Sequence, residues 1–172
     1  MGLLDELGYT VKPANAVQRV TQRIASSRPG AWTFQRTLYP MDKALFRISK
    51  GRTTVPGLLA GLPVIMLTTT GAKSGRSRTM PLLGIPLDGA LAVIGSNYGQ
   101  QHTPGWVYNL EADPAASVGY RDRTVAVVAR RASDEGADRA FDLAADVYPG
   151  YAKYRERADH RVIRVFVLEP AD

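Results

Sequence analysis

This chain of 172 residues contains no cysteine and only two histidines, His102 and His160, far apart in sequence. The first absence removes disulfides, thiolate nucleophiles and cysteine-based metal sites. The second leaves too few imidazoles for an ordinary zinc centre, so no metal is expected. No G-x-G-x-x-G occurs, and the P-loop spacing is not met: Lys73 follows Gly71 after a single residue, and strand-like sequence comes next. A G-x-S-x-G elbow is missing too, which removes the usual hydrolase signature. Long apolar runs are also lacking. The longest, Val55 to Leu67, is broken by Pro56 and Pro63 and is too short to span a bilayer. The start, Met1-Gly-Leu-Leu-Asp-Glu, lacks the basic-then-apolar order of a signal peptide, so a soluble, cytoplasmic protein is expected. A chain so poor in reactive side chains must draw demanding chemistry from a bound cofactor and itself supply position and electrostatics.

The charge that is present is unevenly spread. Residues 1–52 hold nine Lys/Arg against Asp5, Glu6 and Asp42, whereas the remainder holds thirteen of each sign. The whole net charge of +6 therefore sits in the N-terminal third, where it suits an anionic partner: a membrane surface, an acidic cofactor tail or nucleic acid. The aromatics of that third, Trp32, Phe34, Tyr39 and Phe46, form no recognisable stacking platform, so nucleic acid is not expected.

The length fits one domain with a sizeable core. Val17, Val20 and Ile24 share a face of a helix expected over 14–26, which Arg28-Pro29-Gly30 ends. A second helix is expected over 40–50, with Met41, Leu45 and Ile48 on one face and Lys43, Arg47 and Lys50 on the other. A basic amphipathic helix can lie on a membrane; it can equally be an ordinary surface helix with one solvated side. Gly57-x-x-x-Gly61 reads as loop and close packing.

Strands follow, over Val64–Thr70, Met80–Leu87, Leu91–Ser96, Ser117–Arg121, Thr124–Arg130 and Val162–Leu168, with hairpin turns at Asp88-Gly89 and Asp122-Arg123. A short helix is expected over Trp106–Ala112, stopped by Asp113-Pro114. Another starts at an N-cap, Ser133, and carries the stripe Ala137, Phe141, Ala144, Tyr148. The sum is an α+β protein: a small barrel of about six mainly antiparallel strands with flanking helices.

Two local features carry chemistry. The loop after Thr70 holds Lys73, Arg76 and Arg78, the hydroxyls of Ser74 and Ser77, and Gly71 and Gly75, with no acid. Glycines admit close approach, backbone N–H groups in such turns cradle anions, and guanidinium binds phosphate in bidentate fashion. The loop reads either as a phosphate grip or as a solvated basic hairpin tip. Tyr148, Tyr151 and Tyr154 recur at a spacing of three, close to one side of a helical segment. They can line a substrate pocket and offer a proton, or simply pack with wet hydroxyls.

Five motifs stand in order: Leu67-Thr-Thr-Thr-Gly71-Ala-Lys73-Ser-Gly75-x-x-Arg78; Pro81-Leu; Ser96-Asn-Tyr-Gly99; Pro104-x-Trp106-x-x-Asn109-Leu-x-Ala-Asp-Pro114; and Tyr148-Pro-x-Tyr151-x-x-Tyr154. Over roughly residues 62–170 the chain resembles the deazaflavin-dependent nitroreductase family, split β-barrel proteins that use coenzyme F420. The charge count and the expected helices mark a basic helical N-terminal extension over 1–52, and the resemblance implies a split-barrel deazaflavin-binding region over 53–172, within one structural domain.

It also implies roles at the matching positions. Lys73, Ser74, Gly75 and Arg78 would hold the phosphate and acidic tail of the coenzyme. Thr79, Met80, Pro81, Leu82 and Leu83 would run along its ring through their backbone. Ser96 and Asn97 would lie beside it, and the segment from Gly105 to Asn109, with Trp106, would close over it. Tyr151 would stand between coenzyme and substrate and give the proton, with Leu83, Ser96, Tyr148 and Tyr154 toward substrate. Departures from the family pattern are Ala72 in place of a basic residue (with Arg76 near to compensate), Asn97 in place of a lysine, and Leu83 in place of a pocket tyrosine.

The expected activity is hydride transfer from reduced coenzyme F420 to an electron-poor small molecule: a quinone, an activated alkene or a nitro compound. The alternative is a carrier that binds the deazaflavin, or less favourably FMN, without turnover. The expected partners are a small-molecule substrate, a membrane surface met through residues 1–52, and a second copy in a homodimer.

Overall fold

The computed structural model describes residues 2–11, 62–97, 100–157 and 162–171, without the side chains of 154–157. The helices expected over 14–26 and 40–50, Gly57 and Gly61, the boundary at 52/53, Tyr98, Gly99 and His160 all lie outside the described residues.

Along the chain run α1 (Leu3–Leu7), β1 (Val64–Thr70), β2 (Ser77–Leu83), β3 (Ile85–Leu87), β4 (Ala90–Ile94), α2 (Gly105–Ala112), β5 (Ala115–Tyr120), β6 (Arg123–Arg131), α3 (Asp134–Val147), α4 (Gly150–Arg157) and β7 (Val165–Pro170). The strands form one sheet in the order β2-β1-β5-β6-β7-β4-β3, with every neighbouring pair antiparallel. This order dictates the shape. β2 and β3 are the two edges, yet only Gly84 lies between them in sequence. Seven strands laid flat would hold those edges about 29 Å apart. One residue spans only about 3.5 Å. The sheet must therefore curl until its edges meet, and the result is the expected split barrel.

The single strand expected over 80–87 is two strands, which makes seven rather than about six. The break is at Gly84. A Cβ there would lie 3.0 Å from Tyr9 Oη, 3.1 Å from Ile65 Cγ2 and 3.2 Å from Leu91 Cδ2, so the close approach admits glycine and little else.

Two apolar clusters follow from the curl. Inside the barrel lie Ile65, Leu67, Leu91, Val93, Val118, Val127, Phe166 and Leu168, closed by Trp106, Val107 and Leu110 of α2. Outside it, α3 and α4 cover the β3-β4-β7 face with Ala140, Phe141, Ala144, Tyr148 and Tyr151. β4 is therefore buried at every position, because both of its faces are covered.

The N-terminal turn belongs to the barrel. Leu3 and Leu7, one helical turn apart, are both in its core, and Gly8 ends α1 in the left-handed conformation (φ 59°). Arg123 Nη1 donates to Glu6 O at 3.0 Å and fixes the turn to the β5–β6 hairpin. Local signals also hold elsewhere. Asp88 and Gly89 both take positive φ, 50° and 83°, as a type I′ hairpin demands. Ser133 Oγ accepts from Gly136 N–H at 3.2 Å, capping α3 where expected. The β5–β6 turn is Arg121-Asp122, one residue early, and β7 starts at Val165 rather than Val162.

Candidate active site

β2 is the axis of the site. As an edge strand it pairs only with β1, so among the described residues its outer backbone groups have no ladder partner. Its side chains alternate. Met80 and Leu82 pack on the barrel core, while Leu83 packs on the outer cluster, whose members include Tyr148 and Tyr151. Thr79 meets Thr68 hydroxyl to hydroxyl at 2.8 Å on the exposed outer face. Met80 and Leu82 can thus serve a ligand only through their backbone. Pro81 is exposed, at a position where an edge strand tolerates a residue without an N–H.

One end of β2 is the basic loop. Lys73, Ser74, Arg76 and Arg78 are all exposed, and no carboxylate pairs with the three cations among the described residues. The loop's backbone is not the anion cradle expected from its composition. Gly71 N–H donates to Arg76 O (2.9 Å), Ser74 N–H and Gly75 N–H both donate to Gly71 O (3.1 and 2.7 Å), and Arg76 N–H reaches Ser74 Oγ (3.4 Å). These donors close the loop on itself. A Cβ at Gly71 would stand 2.7 Å from Ser74 Oγ, and Gly75 takes φ 62°, so both glycines serve the tightness of the turn.

The fifth loop donor finds a partner outside the loop. Ala72 N–H donates to Asn109 Oδ1 at 3.0 Å, while Asn109 Nδ2 donates to Thr69 Oγ1 at 2.9 Å. Thr69 is the last inward position of β1 and only 3 % exposed, so this amide satisfies a buried hydroxyl and holds the loop with the same group. Asn109 was expected against the cofactor; the structure places it as a bracket between α2 and the loop. Trp106, on the same helix, is in the barrel core with its ring edge-on to Phe166 (6.1 Å), so it seats α2.

The other end of β2 is aromatic. Tyr148 and Tyr151 are buried, with Tyr151 edge-on to Tyr148 at 6.2 Å and to Phe141 at 6.5 Å. Tyr154 lies on α4, with its side chain outside the described set. Ser96 is buried two residues after β4. Asn97 has φ 47°, and its Nδ2 bonds Gln100 Oε1 (3.2 Å) and His102 O (2.9 Å), so its amide closes its own loop. The register that pairs Ile85 with Ala92, continued back past Gly84, would bring Pro81 level with Ser96. No pairing forms there, and the β2 wall and the Ser96 wall flank a split. Arg78 and Leu83 are five residues apart, about 17 Å along a strand.

The site therefore offers an acid-free cationic tip, an unpaired backbone edge and an apolar aromatic corner, in a line. That fits a long ligand with a flat ring at one end and an anionic tail at the other. A separate cleft of about 280 Å³, between the β3–β4 turn and the start of α3, gathers none of these residues. Its two arginines are already paired, Arg130 with Glu169 (2.7 Å) and Arg139 with Asp88 (2.8 Å).

The family model of the F420H(2)-dependent quinone reductases matches residues 41–170. The chain belongs to that family. A curated F420H(2)-dependent quinone reductase of Mycobacterium tuberculosis is 30% identical over 105 residues, covering 60% of this chain and 68% of its own length. A solved F420-H2 dependent reductase is 37% identical, with TM-score 0.57 over 62% of this chain and 94% of its own. A solved domain-swapped dimer is 31% identical, with TM-score 0.59 over 82% of this chain and 99% of its own. The protein is thus a reductase whose cofactor is coenzyme F420, and the reading as a carrier without turnover is not favoured.

Sequence reasoning missed two site-shaping features. Tyr9 left a faint trace, in that Leu3, Leu7 and Gly8 spell a capped helical turn leading into it. The Asn109 bracket left none, since its partners lie 37 and 40 residues away. Asn109→Ala should free Ala72 N–H and leave Thr69 unsupported. Coenzyme affinity should then fall about tenfold, the worth of roughly one net hydrogen bond. Hydrogen exchange at residues 71–76 should quicken in the coenzyme-free variant; unchanged exchange there would remove the bracket.

Proposed function

We propose that Lys73, Ser74 and Arg78 hold the phosphate and acidic tail of coenzyme F420, with Arg76 standing in for the basic residue that Ala72 replaces. The backbone of Thr79–Leu83 lies along the ring and Ser96 faces it across the split. Leu83, Tyr148 and Tyr151 form the wall met by the acceptor, with Tyr154 on the same helix. When bound, the reduced deazaflavin supplies the hydride. The chain's part is to align donor and acceptor, keep water out with the buried tyrosine corner, and release a proton from Tyr151 Oη. One observation carries this reading: a strand edge, unpaired among the described residues, runs from an acid-free cationic loop to an apolar aromatic corner.

A quinone is the acceptor this corner suits best. Leu83 offers no hydrogen bond to a nitro group, and flat apolar rings stack well against buried aromatics. The direct test mixes purified protein with reduced coenzyme and a panel of quinones, enones and nitro compounds and follows coenzyme oxidation. Absence of turnover with every quinone would sink the acceptor assignment. In the same assay Lys73→Ala or Arg78→Ala should weaken coenzyme binding by about 1–3 kcal/mol, as for a lost charge-assisted contact, with the circular-dichroism spectrum unchanged. Equal affinity in both variants would remove the tail-gripping role.

Tyr151→Phe keeps the ring packing and removes the hydroxyl. Turnover should drop about 100-fold while coenzyme affinity stays within a factor of two. Undiminished turnover would make water the proton source and Tyr151 a wall.

Peripheral membrane contact from the cytoplasmic side is also part of the reading, supported by the +6 charge confined to residues 1–52. No helix among the described residues is long and apolar enough to cross a membrane. Truncation is a poor test, because Leu3 and Leu7 are core residues. The full chain should instead co-sediment with anionic vesicles at low salt and release at high salt. Replacing Lys43, Arg47 and Lys50 together by Gln should abolish this, since each cation contributes about 1 kcal/mol near anionic lipid. If the triple variant binds as well as the parent, the segment 40–50 is not the contact.

A further inference from the structure

Tyr9 lies outside every motif and is nevertheless at the joint of the barrel. It is 8 % exposed, its ring rests 4.7 Å from that of Tyr120, and its hydroxyl faces two backbone carbonyls, Gly84 O at 2.5 Å and Pro63 O at 3.0 Å. These carbonyls have special positions. Pro63 leads directly into β1, and Gly84 is the one residue that joins β2 to β3. Gly84 N–H itself donates to Pro63 O at 3.2 Å, and Leu83 pairs with Val64 beside it. Beyond this point β2 has no partner on its outer side, and β2 and β4 part company.

The phenol holds a proton firmly. Burial drives its pKa well above the ordinary range, and the neighbouring Tyr120 and Tyr151 act in the same direction. Tyr9 is thus a donor at any physiological pH. The chain around it is fixed as well: Arg123 holds Glu6 O, and Tyr120 Oη donates to Thr10 O at 3.4 Å. The residue is mounted on the rigid β5–β6 hairpin and reaches across to the seam.

The geometry points to Tyr9 as a positioning residue that pins the Gly84 joint and so sets the width of the split between the β2 wall and the Ser96 wall. This rests on the reading of β2 as the cofactor wall. The pin acts at a distance: Tyr9 touches the joint, and the joint fixes where Pro81, Leu82 and Leu83 present their backbone. A ring bound flat along that backbone is sensitive to small shifts of it, because hydrogen bonds weaken steeply once their geometry bends.

The test uses the full chain with two variants. Tyr9→Phe keeps the ring and removes the donor, leaving both carbonyls without it. Leu3→Val, a mild change in the same N-terminal turn, lowers core packing without touching the joint. Hydrogen exchange of the segment 79–84 is measured without coenzyme, and oxidised coenzyme is titrated by fluorescence at a temperature where all three proteins are folded. Tyr9→Phe should quicken exchange in 79–84 and weaken coenzyme binding about tenfold, as for one lost buried hydrogen bond. Leu3→Val should stay within twofold on both. Equal losses in the two variants would reduce Tyr9 to general core stability, and no change in Tyr9→Phe would remove the pin altogether. If the parent protein fails to bind the coenzyme, the cofactor-wall reading falls, and the exchange of 79–84 alone still decides whether the pin exists.

Discussion

One residue, Gly84, joins the two edge strands of a seven-stranded sheet, and that constraint reaches every part of the site. It makes the sheet curl. Curling gives the sheet an inside and an outside, so two separate apolar clusters become necessary, one plugged by α1 and α2 and one roofed by α3 and α4. Because the joint is too short to let β2 and β3 lie side by side, the barrel closes at a point and not along a ladder. Among the described residues β2 is left with an open edge. In most proteins such an edge is a hazard for strand addition and is blunted by charge or proline. Here it carries Arg78 at its start and Pro81 near its end, which suit that protection, and it lies between the two chemically distinct ends of the site.

The cations divide into two populations by their surroundings. Arg130, Arg139 and Arg164 each face a carboxylate: Glu169, Asp88 and Glu111, respectively. They stitch surface elements together, and as exposed or half-exposed pairs they add little stability. Lys73, Arg76 and Arg78 have no such partner among the described residues. Their loop is closed by its own backbone bonds and by Asn109, so it is ordered without an anion. Under the proposed reading, an anion there would meet a loop whose backbone is already closed, which lowers the ordering cost of a charge-assisted contact. The Asn109 amide ties that readiness to α2, and Trp106 ties α2 to the core, so the electrostatics of the loop depend on packing some distance away.

Much of this was legible in the chain. The β1 boundaries, the Asp88-Gly89 turn and the Ser133 cap are local, and local chemistry decided them. The basic loop was legible as a cluster of charges, but not the use of its N–H groups, because loop closure depends on which backbone groups find each other in three dimensions. The split at Gly84 was missed because the apolar residues on both sides were read as one strand, and the close approach of Tyr9, Ile65 and Leu91 that sets the break leaves no local signal. Tyr9 was missed for a related reason: its acceptors are 54 and 75 residues away, and no periodicity links them. Asn109 and Trp106 were found by resemblance to a family, which marks a position as needed without saying whether its side chain faces ligand or protein. In this fold Trp106 is buried in the core, and the Asn109 amide bonds Ala72 and Thr69.

The acceptor end of the site follows from a single substitution in kind. Leu83 stands where a pocket tyrosine would offer a hydrogen bond, and it packs against the outer cluster to which Phe141, Tyr148 and Tyr151 belong. Removing a hydrogen-bonding side chain from a buried wall has an asymmetric effect. Acceptors whose polar groups relied on it lose a partner and keep the desolvation cost of about 1–3 kcal/mol, whereas apolar rings lose nothing. The remaining wall is aliphatic on one side and aromatic on the other, with phenols confined to the helix side. On the proposed reading, a flat quinone would lie against Leu83 with one oxygen toward the tyrosines, a wall that favours flat apolar rings. On that reading the joint at Gly84 would bear on the reaction as well as on the topology, because it fixes where Pro81, Leu82 and Leu83 present their backbone.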